Sequence, residues 1–145
     1  MRIPFTVHQY IHDPDRGVYG KEAAEKLGIA EERVFKTLVV QLDDSSLVVG
    51  VIPVASMLSM KRIAKVAGAK KAVMADRAVV ERSTGYVLGG VSPLGQKKRI
   101  QTVIDFSAGR SPTIYVSAGR RGLEIELKAA DLAMLTGGSF AEICQ

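Results

Sequence analysis

The chain carries a single cysteine, Cys144, and only two histidines, His8 and His12. One thiol excludes an intramolecular disulfide, and one thiol with two imidazoles makes no zinc-ligand pattern. The histidines stand at helix-like i, i+4 spacing but outside any HExxH frame, so no metal and no cofactor are expected. No apolar run reaches the roughly 18 residues of a membrane span. The first residues, MRIPFTVHQYIHD, lack the apolar centre of a signal peptide, which leads us to expect a soluble, cytoplasmic chain. No GxSxG elbow is present to present a serine nucleophile. No repeat, low-complexity tract or linker interrupts the sequence, so residues 1–145 are expected to form one domain.

What is present is a hydrophobic fraction of 47%, which argues against intrinsic disorder. A net charge of +5 and a pI near 9.5 are compatible with a polyanionic partner such as nucleic acid. Residues 82–99, RSTGYVLGGVSPLGQKKR, form the most distinctive stretch, holding Gly85, Gly89, Gly90 and Gly95, Pro93, the hydroxyls of Ser83, Thr84 and Ser92, and a basic end at Lys97, Lys98 and Arg99. It is too punctuated for a helix. Glycines allow a backbone to approach a ligand closely, and successive peptide N–H groups in such turns can form an anion-binding concavity. A surface loop that needs glycine only for its turns is the competing reading.

Around that stretch, helix and strand signals alternate. Helices are expected over 19–27, ending at Gly28, over 60–66 with Ser59 as cap, over 77–82 with Asp76 as cap, and over 129–135. Strands are expected over 33–42 and 47–52, joined as a hairpin by Asp43, Asp44, Ser45 and Ser46, then over 71–74, 102–105, 113–117 and 123–127, with an edge strand within 139–144. Hairpins mixed with helical crossovers imply an α/β (mixed α+β) fold, a mixed sheet curled towards a small barrel with helices outside.

Several residues stand out against this frame. On the 33–42 strand, Lys36 shares a face with Val34, Leu38, Val40 and Leu42. An unpaired buried ammonium is costly, so Lys36 either snorkels to solvent, meets a carboxylate, or faces a cavity that receives an anion or polarised carbonyl. Ser117 ends an aliphatic strand beside Arg120 and Arg121 and could orient a polar ligand, although a serine at a turn is also ordinary. Glu124 and Glu126 share a strand face, either as an acid–base pair or as a solvated face partnered by Arg120 and Arg121; the second is expected. Tyr10 and Tyr19 could stack on a base or anchor the N-terminal arm. Cys144, with no histidine near it in sequence, is expected to be an ordinary thiol with a pKa of about 8.5.

The segments VFKT (34–37), KRIAKVAGAKK (61–71), TGYVLGGVSPLGQKK (84–98), TVID (102–105) and VSAGRRGLEIEL (116–127) together resemble the YbaK/EbsC family of free-standing aminoacyl-tRNA deacylases, related to the editing insertion of bacterial prolyl-tRNA synthetases. The resemblance runs in order along nearly the whole chain. It implies a small barrel-like mixed sheet flanked by helices, and clearance of Cys-tRNA(Pro) and, acting unassisted, Cys-tRNA(Cys). It implies the 3′ end of aminoacyl-tRNA as substrate and prolyl-tRNA synthetase as a partner. Lys36 matches the family's pocket lysine, Gly89 and Gly90 its substrate-contacting glycines, Ser117 the serine before the AG turn, and Tyr10 an N-terminal pocket tyrosine. Lys36 and the 89–92 backbone, including Ser92, would hold the terminal adenosine and carbonyl, and Glu124 stands where some relatives carry aspartate. The implied mechanism has the cysteinyl thiol attack its own ester. An Ala-tRNA(Pro) specificity, or a module that binds tRNA without cleaving it, are the alternatives.

Overall fold

The computed structural model describes residues 3–13, 21–87 and 90–145. In chain order its elements are β1 (Phe5–Gln9), α1 (Lys21–Leu27), β2 (Phe35–Leu42), β3 (Leu47–Pro53), α2 (Met60–Val66), β4 (Ala72–Met74), α3 (Arg77–Thr84), β5 (Gln101–Asp105), β6 (Ile114–Arg120), β7 (Leu123–Leu127), α4 (Ala129–Thr136) and β8 (Ser139–Ala141), with short 3-10 turns at Glu31–Arg33 and Phe106–Arg110. The hairpin expected from alternation forms with Phe35 opposite Pro53 and Gln41 opposite Leu47. Its turn is tied by Asp44, whose Oδ1 accepts from the Ser46 amide at 2.9 Å and the Ser46 hydroxyl at 2.5 Å.

The strands divide into two sheets, a five-stranded one in the order β4-β2-β3-β5-β8 and a three-stranded one in the order β1-β7-β6. The five-stranded sheet is mixed: β4, β2 and β3 run antiparallel, while β3, β5 and β8 run parallel. The three-stranded sheet is wholly antiparallel. The curl expected of a single sheet is realised as a seam where Val34 bridges Tyr115 in parallel just ahead of β2. Central strands covered on both faces read as unbroken apolar runs, and β3 shows this with Val48, Val49, Val51 and Ile52 all fully buried. Alternation along β2 sends Phe35 and Val39 into the main core with Val49, Val51, Ile104, Ile114 and Val116. The opposite face sends Val40 and Leu42 into a second core with Ile52, Ile63, Val103 and Ile143.

Three local expectations need correction. β1 was not foreseen; it pairs with β7 from Phe5–Leu127 to Gln9–Leu123. Asp76 stands at the N-cap of α3 but makes no side-chain capping bond, whereas Ser59 caps α2 by accepting from the Arg62 amide at 3.1 Å. The C-terminal edge strand stops at Ala141, after which Cys144 bridges Leu58 in isolation. Helix α3 also runs on to Thr84, two residues past its expected end, so that its last three residues lie in the glycine-rich stretch, and it ends at Gly85 in the left-handed conformation. Lys61, Arg62 and Lys65 line the solvent side of α2 as expected.

Candidate active site at the seam between the sheets

The glycine-rich stretch is a loop closed at its base. The Lys97 amide donates to Thr84 O at 2.9 Å and the Lys98 amide to Ser83 O at 3.1 Å, so both ends are fastened to the end of α3. Inside the loop the Tyr86 hydroxyl donates to Leu94 O. Ser92 is buried; its Oγ accepts from the Leu94 amide at 3.2 Å and its carbonyl from Gln96 Nε2 at 3.0 Å. Its hydroxyl therefore holds the loop's own turn. Val91 and Leu94 anchor the loop to the main core. Gly89 lies outside the described residues.

Gly90 seats the loop against the end of β6. A Cβ at this position would stand 2.9 Å from Arg120 Cα, closer than real side chains come, and 3.2 Å from Gly119 O, a tight contact. The space it would need belongs to the β6–β7 turn and not to a ligand, which corrects the reason glycine is required here. Ser117 fastens the same contact. Its hydroxyl donates to Gly90 O at 3.4 Å and accepts from the Gly119 amide at 3.1 Å. Held this way, Ser117 is an orienting group with no base beside it among these bonds.

The seam brings the other candidates alongside. Two residues beyond the Val34–Tyr115 bridge, on both strands, stand Lys36 and Ser117. Lys36 is partly buried, and among the described residues it has no carboxylate partner. Burial pushes its ammonium below the ordinary lysine value, and Lys21 adds to that in the same direction. Across the small sheet, Ser117 pairs with Glu124 and His8 pairs with Glu124 from the other side, so Tyr10, two residues past His8, lies on the same face. The Tyr10 amide donates to Gly122 O at 2.9 Å, and its ring packs with Ala23, Ala24, Val34 and Tyr115. Burial pushes the Tyr10 phenol up, and the neighbouring Glu124 charge adds to the effect. Tyr10, Ser117 and Glu124 thus share one face of the small sheet, with Ser117 tied to Gly90, and Lys36 stands two residues past the seam bridge on the neighbouring strand.

Glu124 and Glu126 are not the solvated pair expected. Glu124 is fully buried, and Glu126 is committed to His8 Nε2 at 2.9 Å, the Thr113 hydroxyl at 2.5 Å and Arg33 Nη2 at 3.4 Å. The Thr113 hydroxyl is the largest influence holding the Glu126 carboxyl below its ordinary value, with His8 helping. β1, lying across β7, excludes the solvent that the reading assumed. His12 serves a different carboxylate, Glu22, at 2.6 Å, so the two histidines share no site. Cys144 is not an ordinary thiol: burial, with Asp105 adding, pushes it up to about 11. Tyr19 lies outside the described residues. Two residues went unremarked in sequence, Glu22 and Arg33. Only the i, i+4 spacing of Glu22 and Lys26 hinted at the first.

These features define a class: a mixed α/β protein of two sheets with a fastened glycine-rich loop beside their seam and a partly buried lysine on it. Residues 17–135 match the family described as the aminoacyl-tRNA editing domain. The chain is 39% identical over 142 residues to an Enterococcus faecalis protein named "Putative Cys-tRNA(Pro)/Cys-tRNA(Cys) deacylase EbsC", covering 98% of this chain and 86% of that one. It is 26% identical over 113 residues to YwhH of Bacillus subtilis, covering 78% and 71%. Among solved structures, one called "Crystal structure of a putative trans-editing enzyme for prolyl tRNA synthetase" superposes with a TM-score of 0.86 at 20% identity, covering 97% of this chain and 87% of that one. Another, of hypothetical protein APE2540, gives 0.85 at 26% identity, covering 100% and 93%. The chain belongs to the aminoacyl-tRNA editing domain family.

Proposed function

We propose that this protein acts in trans, as one editing domain in the cytoplasm, to clear Cys-tRNA(Pro), and Cys-tRNA(Cys) when unassisted. The observation that carries this reading is Lys36. An ammonium partly buried on an apolar face, without a carboxylate partner among the described residues, is costly to keep unless a ligand's oxygen completes it. Prolyl-tRNA synthetase is the partner that would supply tRNA selectivity.

In the proposed reaction the cysteinyl thiol attacks its own ester carbonyl. The sulfur–carbon bond forms, the carbon–oxygen ester bond breaks, and the thiol proton ends on the ribose oxygen, so a cyclic thiolactone leaves and the tRNA 3′ end is freed. The protein contributes position. Lys36 meets the charge that develops on the carbonyl oxygen, while the 89–92 backbone with Gly89, Gly90 and Ser92, together with Tyr10, Ser117 and Glu124, holds the terminal adenosine. Orientation alone can lower a barrier by several kcal/mol, about 7–11 at the favourable limit.

A deacylation panel on Cys-, Ser-, Ala- and Pro-tRNA(Pro) at saturating protein tests this. Cys-tRNA should be cleared far faster than Ser-tRNA, which fits the same space but carries a much poorer nucleophile. Equal rates on the two would replace substrate assistance with an activated water, and cleavage of none would leave a tRNA-binding module.

A further inference from the structure

Outside the loop-covered face, a cleft of about 420 Å³ opens beside Tyr10, between residues 9–12 of the N-terminal arm and residues 120–122 of the β6–β7 turn. Its volume lies within the roughly 300–1,000 Å³ of clefts that take small molecules. Both walls are fixed before anything binds. The arm is fastened by the Tyr10 amide on Gly122 O at 2.9 Å and by Lys26 Nζ on Ile11 O. Just beyond the cleft, the fully buried Glu22 carboxylate takes His12 Nδ1 at 2.6 Å and the Asp13 amide at 2.8 Å. The turn wall follows a bulge between Ser117 and Arg120. Where the walls touch, Gly122 has φ +91°, and a Cβ there would lie 2.7 Å from Tyr10 O. Arg120, which lines the cleft, also backs onto Gly90, and Tyr10 is shared between the cleft and the cluster with Val34 and Tyr115 at the seam.

The lining is cationic and hydrogen-bonding. Arg120 is exposed and has no carboxylate partner among the described residues, and Arg121 lies near enough to act on the Tyr10 phenol. Two guanidiniums suit a phosphodiester, which planar forks bind bidentately, while the Tyr10 and Ile11 wall offers surface to a base. We propose that this cleft is a nucleotide subsite, holding the penultimate nucleotide of the substrate's 3′ end with its phosphodiester on Arg120 and Arg121. This rests on the aminoacyl-tRNA reading and adds to it where the strand runs as it leaves the active site.

The test is binding of uncharged adenosine, cytidylyl-adenosine and inorganic phosphate to the whole protein, by calorimetry, with Arg120→Gln, Arg121→Gln and the charge-keeping Arg120→Lys. The dinucleotide should bind about tenfold or more tighter than adenosine. Each glutamine variant should remove most of that gain, Arg120→Lys should restore part of it, and the Arg120 variants should melt at the wild-type temperature. Equal affinity for adenosine and dinucleotide, or a gain that survives both glutamine variants, overturns the subsite, and so does phosphate alone competing as well as the dinucleotide. A kinetic arm separates the two readings. The preference in kcat/KM for cysteinylated dinucleotide over cysteinyl-adenosine should shrink about tenfold in Arg120→Gln, through KM. If neither substrate is cleaved while the arginine-dependent binding gain persists, the deacylase reading fails and the subsite stands; cleavage without any dinucleotide gain is the reverse.

Discussion

Replacing Gly90 by alanine probes the contact on which the loop is seated. The added Cβ would stand 2.9 Å from Arg120 Cα, 3.2 Å from Gly119 O and 3.4 Å from Arg120 N. All three are backbone atoms of the last two residues of β6, so no side chain can rotate aside. Overpacking of this kind costs about 1–3 kcal/mol. For a chain of this size that corresponds to a melting temperature lowered by about 3–10 °C. Relief requires the loop to lift off the end of β6, which would also break the Ser117–Gly90 hydrogen bond. Gly109→Ala is the matched control, because a Cβ there meets nothing within 4 Å. Thermal melts and Cys-tRNA deacylation should show Gly90→Ala losing both stability and rate, with Gly109→Ala near wild type. A Gly90→Ala protein that melts and turns over like wild type would refute the seating contact.

Lys36→Met should keep the melting temperature, since it removes a desolvated charge, yet lower deacylation by about a hundredfold or more; wild-type turnover would place the site elsewhere. Glu22 gives a pH dependence of stability. Burial by itself raises its pKa, but hydrogen bonds from the Asp13 amide, His12 and Lys26 outweigh that and hold it at about 2 against an ordinary 4.5. A depressed carboxyl stabilises the fold above its unfolded pKa, so on the order of 3 kcal/mol present at neutral pH is lost as pH falls from 4.5 towards 2. Glu22→Gln should be less stable at neutral pH and show a flatter acid limb; an unchanged limb in urea titrations would contradict the clamp. With its thiol held at about 11, Cys144 should react with iodoacetamide far more slowly in the folded protein than in the unfolded chain, and Cys144→Ala should retain activity.

How much of this was legible in sequence depended on whether the cause was local. The β2–β3 hairpin was readable because its alternation and its Asp-Asp-Ser-Ser turn lie in one short segment. The oddness of Lys36 was readable for the same reason, since parity along one strand places it among valines and leucines. β1 was not, because its apolar residues point the wrong way: Phe5 is 62% and Val7 49% exposed, and what makes the segment a strand is its pairing with β7, more than a hundred residues on. Missing β1 also hid the burial of Glu124. The pairing partners of Glu126 followed the same logic, because Arg33 reaches it only once the Val34–Tyr115 seam has formed. Of the positions carried by the family resemblance, Tyr10, Ser117 and Glu124 share a face only through the pairing of β1, β7 and β6, which no single segment encodes.

Selection between amino acids is where the geometry of the seam constrains the chemistry. Cysteine and serine differ by one atom, and an apolar pocket distinguishes substrates that differ by a methylene by only about 1–3 kcal/mol. A site built from a fastened loop, one ammonium and an orienting hydroxyl has no means of sharpening that by volume. It can do so through reactivity. A thiol with a pKa near 8.5 is partly ionised at neutral pH, whereas an alcohol is not, so holding the ester carbonyl in reach of the side chain favours cysteine without an accurate measure of size. In the proposed reaction Lys36 would act equally on any carbonyl placed before it, which leaves the choice to the group the substrate brings. On this account, enlarging the pocket should relax binding among small amino acids while leaving the ratio of Cys-tRNA to Ser-tRNA cleavage at saturation nearly unchanged.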